Sequence, residues 1–151
     1  MNSLDISTVE IQNCKTEDFS AVAQLLRQLY PDKSFDLELL RQAYDRSLAS
    51  GDQAFLCAIC GRQIVGFGSV YIKNNLLWCE KPIGYVNDMV VEESYRGQGI
   101  GTRILDHLTS WARERGCHRI ELNSSLDRKA SHIFYEHRGF KRGAYFYSKS
   151  V

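Results

Sequence analysis

The segment Val90-Val91-Glu92-Glu93-Ser94-Tyr95-Arg96-Gly97-Gln98-Gly99-Ile100-Gly101 passes from an apolar strand, through three glycines at alternate positions, into an amphipathic helix. Glycines in that arrangement let the backbone turn sharply and leave amide N–H groups uncovered. The first turn of the helix adds its own unpaired donors, so the segment offers an anion site with Arg96 beside it. A glycine-rich turn without a ligand is the plainer alternative. No Gly-Lys-Ser/Thr follows, which excludes a Walker loop. Thr102 stands where the third glycine of GxGxxG should be, so a dinucleotide fingerprint fits poorly.

The elements that must position this loop can be read from periodicity. Thr8 to Cys14 alternates as a strand, and Thr16 caps a helix with Glu17 and Asp18 in its first turn. Phe19, Val22, Leu25, Leu26 and Leu29 recur at helical spacing up to Tyr30-Pro31. Asp36 caps a second helix carrying Leu37, Leu40, Tyr44 and Leu48. Gln53–Cys60 and Gln63–Lys73 read as strands around a Gly61-Arg62 hairpin turn, and Ile83 to Val91 as the next strand. The helix after the glycines presents Ile100, Ile104, Leu108 and Trp111 and stops at Arg115-Gly116. Arg119–Asn123 is a short strand, Asp127 or Ser131 starts a helix ending at Arg138-Gly139, and Phe140–Arg142 and Ala144–Lys149 close the chain as strands. Antiparallel hairpins followed by strand–helix alternation predict one α/β domain over residues 1–151.

Composition bounds the function. The chain has 151 residues, 44% hydrophobic and 25% charged, with a net charge of +1. That is ordinary for a globular domain, and no apolar run reaches membrane-helix length. Residues 1–7 lack a basic, apolar leader, so the expectation is a soluble cytoplasmic protein. The near-neutral total conceals a split. Residues 1–92 hold 8 Lys/Arg against 12 Asp/Glu, and residues 93–151 hold 11 against 6. A polyanion held by the second half and a cation met by the first would account for it, although chance would too. No basic run supports nucleic-acid binding. Cys57 and Cys60 lie in a strand, where positions three apart face opposite ways, so they clip no metal. The five cysteines are expected to be buried, reduced thiols.

Two motifs then point the same way. Arg96-x-x-Gly99-x-Gly101 after Val90-Val91 resembles the acetyl-CoA signature of the Gcn5-related N-acetyltransferase (GNAT) superfamily. Ala130-Ser131-His132-Ile133-Phe134-Tyr135-Glu136-His137-Arg138-Gly139-Phe140 resembles that family's late helix. The resemblance spans nearly the whole chain. It implies an α/β (α+β) GNAT fold, with a mixed central sheet of six to seven strands and about four helices on both faces. Within the superfamily the N-terminal half, the Ile83–Val91 strand and the ending are most similar to aminoalkylphosphonate acetyltransferases.

The resemblance also implies roles. The amides of Gly97, Gln98, Gly99, Ile100, Gly101 and Thr102, with Arg96, would hold the pyrophosphate of acetyl-CoA, with Arg103, Arg128 and Lys129 as further phosphate partners. The strand backbone at Met89, Val90 and Val91 would meet the pantetheine arm, and Asn123 would lie near it. The Met89 N–H would polarise the thioester carbonyl, and Tyr135 would protonate the departing thiolate.

An alkylamine arrives as ammonium at neutral pH, so a base is also needed. Strand alternation puts Tyr85, Asn87 and Met89 on one face and Asp88 on the other. Relatives often carry Glu or His at the positions of Tyr85 and Asn87, which this chain lacks. A water relay ending on Glu80 or Asp88 is therefore expected, with Asp88 facing away unless a bulge turns it. Tyr30, Trp78, Tyr85 and Asn87 would wall the acceptor pocket, and Asp32, Asp36 and Glu80 would attract an ammonium. The implied activity is acetyl transfer to a small primary amine by direct attack in a ternary complex, without a metal, by a protein that forms homodimers. A protein lysine or N-terminus is the alternative acceptor, and a CoA-binding sensor module is the rival of another class.

Overall fold

A computed structural model describes residues 8–78 and 81–151. The chain divides into two compact units, Met1–Glu121 and Leu122–Val151.

The first unit holds a five-stranded sheet in the order β1-β2-β3-β4-β5. Its strands are β1 (Val9–Asn13), β2 (Gln53–Cys60), β3 (Gln63–Lys73), β4 (Ile83–Val91) and β5 (Arg119–Glu121). The first four are antiparallel neighbours, and β5 joins β4 in parallel, so the sheet is mixed. Helices α1 (Phe19–Leu29) and α2 (Leu37–Leu48) precede β2, and α3 (Ile100–Glu114) links β4 to β5. The hairpin between β2 and β3 turns at Gly61, as its sequence predicts. Thr16 opens a single 3-10 turn rather than the helix itself, and α1 starts at Phe19. Asp36 caps α2 as expected, its carboxylate accepting from the Glu38 and Leu39 amides at 3.0 and 3.1 Å.

The two faces of the sheet are built differently. On one, α3 buries Ile100, Ile104, Leu105, Leu108 and Ala112. The approach is close enough that a Cβ at Gly68 would stand 2.5 Å from Ile104 Cγ2, which is why β3 carries no side chain there. On the other, Phe19, Tyr44, Phe55 and Phe67 form a run of ring contacts with centroids 5.3–5.5 Å apart. Phe67 is 1% exposed, and removing a ring so placed costs about 3–5 kcal/mol.

Larger expectations need correction too. The sheet has five strands among the described residues, because Phe140–Arg142 and Ala144–Lys149 stay without ladder partners. Alternation makes a segment compatible with a sheet, but only a neighbouring edge makes it a strand. Cys14 and Cys57 are not reduced thiols; they form a disulfide with Cα atoms 5.5 Å apart. The β1–β2 register sets Gln12 opposite Cys57, and the Cys14 amide donates to Phe55 O, which brings the two cysteines together across 43 residues of sequence. Cys60 and Cys117 are free thiols, while Cys79 lies outside the described residues.

The second unit contains α4 (Lys129–Glu136), shorter at its C-terminal end than the sequence suggests. Tyr145, Phe146 and Tyr147 beyond it are 72–86% exposed. Among the described residues no helix is long and apolar enough to cross a membrane.

Candidate active site

The strand that carries the expected site is not regular. Gly68 pairs with Met89 and Val70 with Val86, so Asn87 and Asp88 together face the single residue Ser69. This is a β-bulge, and one extra residue shifts the alternation of everything beyond it. Tyr85 pairs with Tyr71, their rings 5.2 Å apart, and three residues later Asp88 points to the same face. The strict alternation read from sequence is thereby corrected: the bulge turns the carboxylate toward α1 and α2.

Asp88 is held by several donors there. The Tyr30 hydroxyl, at the C-terminal cap of α1, donates to Oδ1 at 3.1 Å. Asn87 Nδ2 donates to Oδ2 at 3.1 Å and the Ser69 hydroxyl at a longer 3.4 Å. The Asp88 amide in turn donates to Ser69 Oγ at 3.1 Å. Burial pushes the carboxyl above its ordinary pKa of 3.8, against the pull of these hydrogen bonds and of the Lys33 charge. Asp88 and Ser69 line a cavity of about 260 Å³ under α1 and α2, whose walls include Phe19, Leu40, Phe55 and Tyr71. Ser69, which holds Asp88 in place, is the residue of this cluster that the sequence did not single out. Its signal was a small hydroxyl between Gly68 and Val70 in an apolar stretch of β3, and it is 3% exposed.

On the other edge of β4, β5 pairs only with Ile83, Gly84 and Tyr85. Beyond Tyr85 no described strand lies on that side. The Glu92 amide donates to Val65 O and the Asp88 amide to Ser69, both on β3. Amides alternate along a strand, so those of Met89 and Val91 point to the open edge. Val90 points its amide to β3 and buries its side chain in the core.

The glycine loop adjoins this edge. Arg96 Nε donates to Val91 O at 2.8 Å. Gly97 and Gly99 take φ of +73° and +82°, and a Cβ at either would meet nothing within 4 Å. The turn is thus an open cradle of backbone amides leading to the start of α3, where Ile100 is buried and Gly101 and Thr102 are half-buried. Residues of this kind suit a pyrophosphate, and the open edge suits an extended arm with amide groups.

The remaining expected site residues are dispersed. Asp36 is spent on capping α2, and Asp32 is exposed. Trp78 ends a short 3-10 turn, Leu76–Trp78, and Glu80 lies outside the described residues. In the second unit, Asn123 follows β5 rather than ending it, and Arg128 stands at the N-cap position of α4 without a side-chain cap bond. Tyr135 packs between the rings of Phe134 and Phe140, 5.2 and 5.5 Å away. Burial raises its pKa above 10.0, opposed by Arg128. Its hydroxyl therefore keeps its proton at neutral pH.

The sequence matches the acetyltransferase (GNAT) family over residues 17–140. It is 26% identical to the aminoalkylphosphonate N-acetyltransferase of Salmonella typhimurium over 142 residues, 94% of this chain and 91% of that one. It is 30% identical to the glucosamine 6-phosphate N-acetyltransferase of Trypanosoma brucei brucei over 138 residues, 91% and 92% of the two chains. Its fold is similar to an aminoglycoside acetyltransferase solved with a CoA-S-monomethyl-acetylneamine bisubstrate analog, at a TM-score of 0.81 and 19% identity, with 95% and 99% of the chains covered. The five-stranded mixed sheet with its bulged fourth strand and open glycine cradle is accordingly that of an acyltransferase, and the chain belongs to the acetyltransferase (GNAT) family.

Proposed function

We propose that the protein transfers an acetyl group from acetyl-CoA to a primary amine of a small molecule, with Asp88 as the general base. The observation that carries this reading is the bulge of β4. It aims a carboxylate into the cavity one residue before the Met89 amide, which faces the open edge. Acetyl-CoA, when bound, supplies the acetyl group as a thioester.

The chain's own residues do the rest. The loop from Arg96 to Thr102 binds the pyrophosphate, and the Met89 and Val91 amides align the arm. Asp88 takes a proton from the acceptor ammonium, leaving the amine nucleophilic for direct attack in a ternary complex. The Met89 N–H donates a hydrogen bond to the thioester oxygen as negative charge develops on it. Tyr135, protonated at neutral pH, gives its proton to the departing thiolate and regains one from the nitrogen as the tetrahedral intermediate collapses to the amide.

A carboxylate on the pocket face removes the feature that favoured a sensor module without turnover, namely the absence of an acid at positions 85 and 87. A cavity of about 260 Å³ suits a small amine better than a folded protein's terminus or lysine. The exposed Tyr145-Phe146-Tyr147 segment supports a homodimer in which a second copy covers it.

The test is thiol release from acetyl-CoA in the presence of small amines. Amine-dependent release that falls in Asp88→Asn supports the reading. Tight acetyl-CoA binding without release across a broad amine panel overturns it.

A further inference from the structure

The cavity beneath α1 and α2 says more about the acceptor than its amine. Among the described residues that line it, Asp88 alone carries a charge; none is Lys, Arg or His. Ser47, Gln53, Ser69 and Asn87 and the hydroxyls of Tyr44 and Tyr71 supply the other polar groups, while the bulk of the wall is aromatic and aliphatic. Described cations nearby stay outside its lining, although the Lys33 charge reaches Asp88. Arg41 stacks over the Phe19 ring at 5.1 Å and pairs with Asp45 at 2.9 Å, and Lys33 lies over the Tyr30 ring at 5.9 Å.

We infer that the acceptor is a compact monoamine on an apolar alkyl or aryl body, without a phosphate or phosphonate, its ammonium paired to Asp88 and its body against the Phe19, Phe55 and Leu40 walls. This rests on the acetyltransferase reading of the same site and narrows it. Size gives one argument. A cavity of about 150 Å³ holds benzene, so 260 Å³ takes an acceptor of roughly ten non-hydrogen atoms. An aminoglycoside, with several rings and many hydroxyls, exceeds that and would leave most of its polar groups unpaired. Charge gives the second argument. A phosphate in this cavity would be desolvated beside a carboxylate with no cation in the lining to answer it. The Salmonella and Trypanosoma relatives are named for phosphonate- and phosphate-bearing amines, so this chain departs from them in the acceptor despite its similarity to them in sequence.

The experiment compares phenethylamine and hexylamine with 2-aminoethylphosphonate, glucosamine 6-phosphate and kanamycin. It uses the full-length protein and acetyl-CoA, with kcat/KM taken from thiol release and binding of each amine measured separately by calorimetry. The apolar monoamines are expected to exceed the other three by at least about 100-fold in kcat/KM, because a buried unpaired charge or polar group is strongly rejected. Leu40→Arg, on the half-buried wall, should narrow the ratio by raising the phosphonate at the expense of hexylamine. Turnover of a phosphorylated amine or kanamycin equal to or above that of the apolar amines overturns the inference and leaves the acetyltransferase reading intact. Selective binding of phenethylamine that weakens in Asp88→Asn, with no thiol release from any amine, supports the cavity assignment and sinks acetyl transfer instead. Equal or absent binding of all five amines without turnover overturns both.

Discussion

The Tyr30 hydroxyl donates to Asp88 Oδ1 at 3.1 Å, tying the end of α1 to the bulge of β4 across 58 residues of sequence. This bond favours the ionised carboxyl against the burial that disfavours it. Asp88→Asn, which leaves the site without a base, should cut kcat/KM by about 100-fold or more with the fold intact by circular dichroism. Tyr30→Phe should act differently. It removes a donor to the charged form, so the acidic limb of the kcat/KM profile should move to higher pH. A limb that stays in place would detach Tyr30 from the base.

The same carboxyl should leave its mark on stability. Its folded pKa is raised above the ordinary 3.8. Below that pH the group is protonated in both folded and unfolded chains and contributes nothing. Between 3.8 and the raised value the folded chain holds the proton more tightly, so wild-type stability falls as pH rises and then levels off. Asp88→Asn carries no such penalty. Urea midpoints measured against pH should therefore separate the two proteins in the variant's favour across that window. Parallel curves would disprove the burial of a charged Asp88.

Gly99 precedes α3 at φ +82°, in open space. A side chain there is strained by about 1–2 kcal/mol and projects into the amide cradle. Gly99→Glu should stay folded while its CoA dissociation constant, measured by calorimetry, rises more than about tenfold. Unchanged affinity would remove the loop from the binding site.

Tyr135→Phe keeps the ring packing against Phe134 and Phe140 and loses only the hydroxyl. If that hydroxyl is the proton donor, kcat should drop by about 100-fold with the KM for acetyl-CoA nearly unchanged. Activity at the full wild-type rate would place the donor elsewhere.

Much of the framework was legible in the residues themselves. Gln53–Cys60, Gln63–Lys73 and Ile83–Val91 form strands with the boundaries expected of them, and Asp36 caps α2. These features depend on local chemistry. The face of Asp88 does not, because it is set by how β4 meets Ser69 on β3, a pairing no local pattern encodes. The tandem polar pair Asn87-Asp88 inside an apolar strand was the available hint. Cys14 and Cys57 fail for the same reason, since only the β1–β2 register brings them together. The expected terminal strands show the converse, with a suitable pattern and no ladder partner among the described residues.

The short pairing of β5 leaves Met89 and Val91 as amides within a strand that no described strand protects on their side. Deuterium uptake should therefore be uneven along β4. Val90, bonded toward β3, should exchange slowly, while its two neighbours exchange quickly despite sitting in the middle of the fold. Acetyl-CoA should slow exactly that pair. A three-residue pattern of fast, slow, fast that collapses to slow would report docking of the arm without any turnover at all.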